Sequence, residues 1–261
     1  MLPALWVSKT GLEAQDLALT TVSNNLANVS TTGFKKDRAV FEDLLYQVQR
    51  QPGANSSADT RLPSGLQLGT GVRTAGTQKI FTTGSLELTD QPLDMAINGR
   101  GFFQITMPDG SISYTRDGTF LINNEGVVVN VNGYPLEPEI TIPEQTNQLT
   151  VSEDGIVQAT LFGDPAPQDL GQIETVDFIN PAGLQAAGGN LFRETAASGA
   201  PVAGVPGEDG FGNIEQGALE NSNVEVVEEL VKMITVQRAY EMNSKVVSAA
   251  DGMLQFLTQN V

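Results

Sequence analysis

Any chemistry in this sequence must proceed without histidine or cysteine, because its 261 residues contain neither. That removes the His-based nucleophilic triad, the thiolate nucleophile and the ordinary zinc site. Carboxylates remain. A pair such as Asp117 and Glu125 has the residue types for acid and base work on a glycosidic bond. With 31 Asp and Glu along the chain, however, nothing in the spacing singles that pair out. Gly207-Glu208-Asp209-Gly210-Phe211-Gly212 is glycine-rich but lacks the Lys-Ser/Thr of a phosphate-binding loop and has no strand–helix context. The Asp-Gly and Glu-Gly steps lack the spaced oxygen ligands of a calcium loop and read as turns. The expectation is no catalytic residue, no cofactor and no metal.

The elements that would have to position a site point elsewhere. The two ends of the chain read as long helices. From Leu2 to Asn28, Leu5, Leu12, Leu19, Val22, Leu26 and Val29 fall at three- and four-residue steps, with Ser8 and Gln15 in the weaker positions of the same seam. Such a helix is about 39 Å long, and Ser30-Thr31-Thr32-Gly33 ends it. From Ser222 to Val261 a second helix is expected, about 56 Å long. Ser222-Asn223-Val224-Glu225 has the form of a capping box. It carries two apolar seams: Val224, Val227, Val231 and Ile234, then Val247, Ala250, Leu254, Leu257 and Val261. Extended backwards, the second passes through Asn243, Tyr240 and Val236, so the stripe shifts near Thr235. A shift of this kind fits a helix that changes partners along its length, with more than ten residues overhanging the first helix.

Between the helices the pattern is β. Short period-2 runs alternate with Gly-containing turns: Thr77–Thr82, Ser85–Leu88, Asp94–Asn98, Phe102–Met107, Ser111–Thr115, Thr119–Ile122, Val127–Val131, Gln148–Val151, Ile156–Leu161 and Gln172–Phe178. Residues 182–218, rich in Gly, Ala and Pro, read as loop with one strand at Asn190–Glu194. Phe34–Gln51 is compatible with a short helix or an extended segment. Gln51, Pro52, Gly53 and the polar stretch through Leu62, Pro63, Ser64 and Gly65 read as an exposed loop. The expected fold is therefore α+β. Two terminal helices pair as a coiled-coil-like domain around a central all-β irregular sandwich or barrel. The expected boundaries are 1–34 and 219–261 for the helical halves, 35–66 for a linker that contacts other subunits, and 67–218 for the β domain.

Charge narrows the partners. The net charge is −17, and residues 1–50 sum to zero while residues 219–261 carry −3, so the body holds −14. An acidic body excludes nucleic acid, which demands a basic face. No apolar run reaches the length of a membrane span. The near-neutral ends are where copies of the chain approach one another with least repulsion.

Four motifs in order carry a family resemblance. Asn24-Asn25-Leu26-Ala27-Asn28-Val29-Ser30-Thr31-Thr32-Gly33-Phe34-Lys35 resembles the N-terminal signature of bacterial flagellar rod, hook and hook-associated axial proteins. The segment from Val236 through Gln237, Arg238, Tyr240 and Asn243 to Lys245, followed by Asp251-Gly252-Met253-Leu254, resembles their C-terminal signature. Ile97-Asn98-Gly99-Arg100-Gly101-Phe102-Phe103 and Tyr114-Thr115-Arg116-Asp117-Gly118-Thr119-Phe120 match the same group. Ala39–Tyr46, Arg50–Ala54 and Leu62–Gln67 resemble its distal-rod members. The resemblance implies a structural, non-enzymatic subunit that assembles helically into a hollow, stiff drive shaft carrying torque from motor to hook.

It also implies the setting. The partners are further copies of the chain, proximal rod proteins below, hook protein above, the surrounding P- and L-ring bushing and the flagellar type III export apparatus. There is no membrane insertion, and the location is the rod crossing the periplasm, reached without a cleaved signal peptide. The helix-seam residues from Leu5 to Leu257 become the expected subunit interface, and Gln51–Gly53 with Leu62–Gly65 a rod-stiffening loop. The alternatives are a proximal rod or hook protein of the same family, or a secreted β-rich binding protein or carbohydrate-active enzyme.

Overall fold

The structure, a computed structural model, describes residues 2–53 and 63–259. In chain order it contains α1 (Leu2–Ala27), β1 (Asp37–Asp43), β2 (Tyr46–Arg50), β3 (Leu66–Gly69), β4 (Val72–Lys79), β5 (Leu86–Leu88) and β6 (Met95–Asn98). There follow β7 (Phe103–Thr106), β8 (Ile112–Thr115), β9 (Phe120–Ile122), β10 (Val128–Asn130), β11 (Leu136–Glu137), β12 (Thr146–Val151) and β13 (Ile156–Leu161). The chain closes with β14 (Asp164–Gln172), β15 (Thr175–Asp177), β16 (Gln185–Gly188), β17 (Leu191–Arg193), β18 (Val202–Gly204), β19 (Asn213–Gln216), β20 (Ala218–Glu220) and α2 (Val226–Gln259).

Two compact units result. One joins residues 1–27, 37–78 and 225–261; the other joins 28–36 and 79–224. This differs from the expected division. Residues 37–50 and 66–78 form strands that belong with the helices, and the segments flanking each helix belong with the β body. The cause is side-chain bonding. Asn25 of α1 clasps the backbone of Asp37, its Oδ1 accepting from Asp37 N and its Nδ2 donating to Asp37 O, both at 2.9 Å. That clasp draws β1 onto α1, and β1 pairs with β4. The segment expected as a linker or extended loop contains a strand pair, β2 on β3 with Tyr46 opposite Gly69 and Val48 opposite Gln67.

The β unit is a set of short antiparallel sheets. The largest runs β11-β7-β8-β17-β16, beside a three-stranded β12-β13-β14 sheet and the pairs β6–β19, β5–β20, β9–β10 and β15–β18. Adjacent residues Phe102 and Phe103 serve two cores, as strand alternation requires. Phe103 packs with Ile97, Ile105, Phe120, Leu136 and Ile214. Phe102 packs with Tyr114, Val176, Phe178 and Phe192, joined by Phe81. Within the second core the rings meet edge-to-face at 4.8–6.2 Å, the arrangement their quadrupoles favour.

Residues 182–218 are more than loop: they hold β16 to β19 and the first residue of β20. β19 and β20 pair with β6 and β5, Ile214 opposite Ile97 and Leu219 opposite Glu87. Strands of three or four residues have too little local pattern to be read alone; distant partners create them. For the same reason Gln172–Phe178 is split between β14 and β15, and Phe34–Gln51 is extended.

The returning chain brings Glu220 into the interior. Its Oε1 accepts from Lys35 Nζ at 2.5 Å and from the Gly84 amide at 2.8 Å; its Oε2 lies 3.4 Å from Arg116 Nη1. Lys35 is 1% exposed, Glu220 0% and Arg116 3%. Backbone carbonyls take the remaining charge: Lys35 donates to Thr82 O, and Arg116 to Ile97 O and Gly99 O. Burial pushes both the Lys35 ammonium and the Arg116 guanidinium below their ordinary values, against the pull of Glu220. Beside them Gly33, at φ +66°, donates its amide to Glu220 O at 2.7 Å. A Cβ there would lie 2.7 Å from the Arg116 and Asp117 backbone, so only glycine fits.

The capping box does not form. Ser222 is buried and its hydroxyl accepts from Val224 N. Asn221 and Asn223 are tied by backbone bonds to Ser85 and Phe34. That holds the segment outside the helix. α2 starts only at Val226, and Glu225 O accepts from Glu229 N.

Replacing Glu220 by Gln leaves two buried cations without their anion. The expected cost is about 3–5 kcal/mol, seen as a clear fall in the thermal unfolding midpoint of the purified chain.

Candidate assembly interface

Two cross-helix contacts define how α1 and α2 pair. Asn25 Nδ2 donates to Glu229 Oε2 at 3.3 Å. Gly11 faces Asn243, whose side-chain amide would stand 3.1 Å from a Cβ placed on the glycine. Moving back along α1 moves forward along α2 by the same number of residues, so the helices are antiparallel. Small size at residue 11 lets the helices approach closely there.

The inward side chains of α2 are Glu229, Met233, Val236, Ala239, Asn243, Val247, Ala250 and Leu254, buried or half-buried at three- and four-residue steps. One unbroken seam therefore runs along α2, and the expected register shift near Thr235 is not a break in it. The first predicted stripe is a different face of the helix: Val227, Val231 and Ile234 are 67%, 56% and 51% exposed. At 100° per residue they lie opposite the seam.

On α1 the buried residues are Ser8, Ala14, Thr21, Val22 and Asn25. Leu5, Leu12, Leu19 and Leu26 are half-buried. The expected leucine seam is thus displaced to the flank. Small and polar residues take the line of burial, because they allow close approach and carry the hydrogen bonds that join the elements. A hydrophobic pattern gives such residues no weight. Glu229 and Glu220, both essential to the bonding, escape a reading of the sequence for the same reason: neither stands out among 31 acidic residues. Glu229 is 1% exposed and also accepts from Lys232 Nζ at 2.9 Å. Burial opposes the Lys232 charge, but its bonds to Glu229 and Glu228 hold it above its ordinary value.

The expected interface residues accordingly divide. Val22, Val224 and Ala250 are 7%, 7% and 3% exposed; they are covered inside the chain and are withdrawn as contacts to another copy. Val224 also precedes α2. Val247 and Leu254 belong to the inward seam. Val227, Val231, Ile234 and Tyr240 stand exposed. The side chain of Leu257, and Val261 beyond it, lie outside the described residues. The overhang expected to exceed ten residues is shorter, with 34 residues in α2 against 26 in α1.

The family-motif residues divide too. Asn25, Gly33 and Asn243 join elements as described, and Phe34 lies under Lys79, Nζ to ring centre 5.3 Å. Asn28 O and Oδ1 organise the turn to Thr31. Leu26 is half-buried on the flank, and Asn24, Ala27, Gln237 and Arg238 are exposed. In the predicted loop, Gln51, Pro52, Gly53, Pro63 and Ser64 are exposed, while Gly65 approaches the Arg50 and Pro52 backbone. Leu62 lies outside the described residues. The arms of this hairpin are exposed at every position on both faces. A lone two-stranded hairpin has marginal stability in water.

Asp117 and Glu125 sit in turns. Asp117 Oδ1 accepts from Thr119 N and Oγ1, and Glu125 donates its amide to Asn123 Oδ1. Among the described residues no group of three metal-ligating side chains converges, and no helix is long and apolar enough to cross a membrane.

Both helices carry exposed aromatic and aliphatic side chains, from Trp6 to Phe256. The architecture is a pair of terminal helices with a β-rich middle. Three family models match the chain: flagella basal body rod protein over residues 5–35, flagellar hook protein FlgE/F/G D1 domain over 96–159, and flagellar basal body rod FlgEFG protein C-terminal over 215–260. The flagellar basal-body rod protein FlgG of Buchnera aphidicola subsp. Schizaphis graminum is 54% identical over 259 residues, covering 99% of this chain and 100% of that one. FlgG of Caulobacter vibrioides is 48% identical, covering 98% of each chain. The FlgF rod protein of that bacterium is 36% identical, covering 86% of this chain and 83% of its own. The chain belongs to the family of flagellar basal-body rod proteins and is a structural component of the flagellum.

Asn25→Ala removes the clasp on Asp37 and a partner of buried Glu229. A loss of about 1–3 kcal/mol is expected, with faster hydrogen exchange at the Asp37 amide than in the parent.

Proposed function

We propose that this chain is the subunit of the distal rod: copies assemble helically into a hollow, stiff shaft that transmits torque from motor to hook. The observation that carries the reading is the graded similarity within one organism. Caulobacter FlgG matches the chain end to end and more closely than Caulobacter FlgF does. At its ends the shaft meets proximal rod proteins and hook protein, and along its length the P- and L-ring bushing. Subunits reach the periplasm through the flagellar type III apparatus without cleavage. The role is mechanical, without catalysis. The outward-facing residues Val227, Val231, Ile234 and Tyr240 meet other copies. The acidic β unit keeps subunits soluble before assembly.

The hairpin 46–69 is the stiffening element. Both of its faces are bare in the single chain, which fits a part that gains its support from a neighbouring subunit and blocks sliding between them.

Purified full-length chain is expected to form straight rods in negative-stain electron microscopy as concentration rises. A monodisperse monomer under every condition of concentration and salt counts against the proposal. Leu45 and Thr70 are adjacent, Thr70 Oγ1 donating to Leu45 O at 2.7 Å. Excising Tyr46–Gly69 and joining these two residues should therefore preserve the fold and give rods that curve. Rods as straight as the parent's remove the hairpin from the account of stiffness.

A further inference from the structure

β12 is an edge strand of its sheet, and one side chain occupies part of that edge. Gln216 Nε2 donates to Leu149 O at 3.0 Å and to Pro92 O at 2.8 Å, while its Oε1 accepts from Val151 N at 3.0 Å. A side-chain amide thus sits where the peptide of a neighbouring strand would. Strand alternation turns the Leu149 N–H to the same edge. Further along, the pairing of β12 with β13 shifts between Thr146 and Gln148, so regular edge bonding stops there. The edge beside Gln216 is one amide long, too short for an added strand and suited to a single amide group.

Leu149 lies where two clefts of about 360 and 350 Å³ adjoin, sharing Pro92, Asn147 and Leu149. Their volumes are those of small-molecule sites. The first is lined by the exposed side chains of Gln91, Asn147 and Gln148, each amide able to donate and accept at once. Asp90 stands on its rim at φ +56°, held by bonds from the Thr89 and Asp90 amides to Gly217 O. The second cleft adds an apolar wall of Leu93, Ile122 and Ile142. Among the described residues no lysine or arginine lines either cleft, whereas Asp90 and Glu144 do. Anions are therefore repelled.

We propose that these clefts bind a neutral saccharide bearing an N-acetyl group. The acetamido carbonyl accepts from Leu149 N–H as a strand carbonyl would, and its methyl takes the apolar wall. Ring hydroxyls exchange hydrogen bonds with Gln91, Asn147 and Gln148 and donate to Asp90. Hydroxyls, like side-chain amides, are donors and acceptors together. An extended peptide instead needs a continuing ladder, which the register shift denies it. The site lies within the β unit and is separate from the contacts proposed between copies.

Saturation-transfer NMR on the full-length chain tests this, because it reads weak binding to single chains and to rods alike. The probe is tetra-N-acetylchitotetraose, and transfer is expected to be strongest at the acetyl methyl protons. Cellotetraose, with hydroxyls in place of the acetamido groups, should bind about fivefold more weakly, the effect of one net hydrogen bond. Asn147→Ala and Gln148→Ala should each match the parent in circular dichroism and melting, yet bind the acetylated probe about fivefold more weakly. The Leu149 amide should exchange more slowly with the probe present. Absence of transfer at millimolar probe overturns the proposal, and so does equal binding of cellotetraose. Variants that bind as the parent does place the sugar elsewhere and overturn the site. Tighter binding of the fully deacetylated, cationic tetramer also overturns it, since the clefts would then be recognising positive charge through Asp90 and Glu144.

Discussion

One buried anion holds the β unit together where the chain enters and leaves it. Glu220 lies just before α2, Lys35 just after α1, and Arg116 in the middle of the sequence. Placed in water these groups would gain little from one another. Fully buried, the carboxylate must be neutralised, and its two oxygens are shared among an ammonium, a guanidinium and a backbone amide. The surplus positive charge is spread over the carbonyls of Thr82, Ile97 and Gly99. Gly33 must be glycine because this packing brings its Cα against the Arg116 backbone. Three of the four family motifs thus meet around a residue that belongs to none of them. A buried ion cluster of this kind adds less net stability than apolar packing of the same volume. Its consequence is positional: it fixes the outgoing and returning strands side by side.

A second polar junction does the same for the helical unit. Asn25 reaches Asp37 on β1 and Glu229 on α2, and Glu229 in turn reaches Lys232. On α1 mainly polar and small residues line the seam, with Gly11 against Asn243 at its middle, while α2 adds Met233, Val236, Val247 and Leu254. Specific bonds therefore set the helix register, and the helices need not turn their most apolar stripes inward. The valines and isoleucine at the start of α2, and the methionine and phenylalanine near its end, remain outside. In a solitary soluble protein that distribution invites aggregation; the proposed assembly would cover it. The two ends are near-neutral, against −14 in the body, so in the proposed assembly they are the parts that repel least.

Much was legible from residue order alone. The two terminal helices, the β character of the body, most strands between Leu86 and Leu161, and the family itself follow from periodicity, turn glycines and four motifs. These are local signals: amphipathic spacing and φ > 0 positions act within a few residues. Composition likewise fixed the chemistry on offer, since a chain without histidine or cysteine has neither a thiolate nor an imidazole to use.

Tertiary structure decided what depends on distant partners. β19 and β20 are strands because β6 and β5 lie beside them. Ser222 fails as a helix cap because its neighbours are bonded to Ser85 and Phe34. The leucines of α1 are flank and its small residues are seam because Asn25 and Asn243 set the approach of α2. Sequence determined which faces of each helix are apolar. Only the fold decided which of those faces is covered, because the buried hydrogen bond between Asn25 and Glu229, 204 positions apart, and the close approach of Gly11 to Asn243 fix helix rotation more tightly than an apolar stripe does.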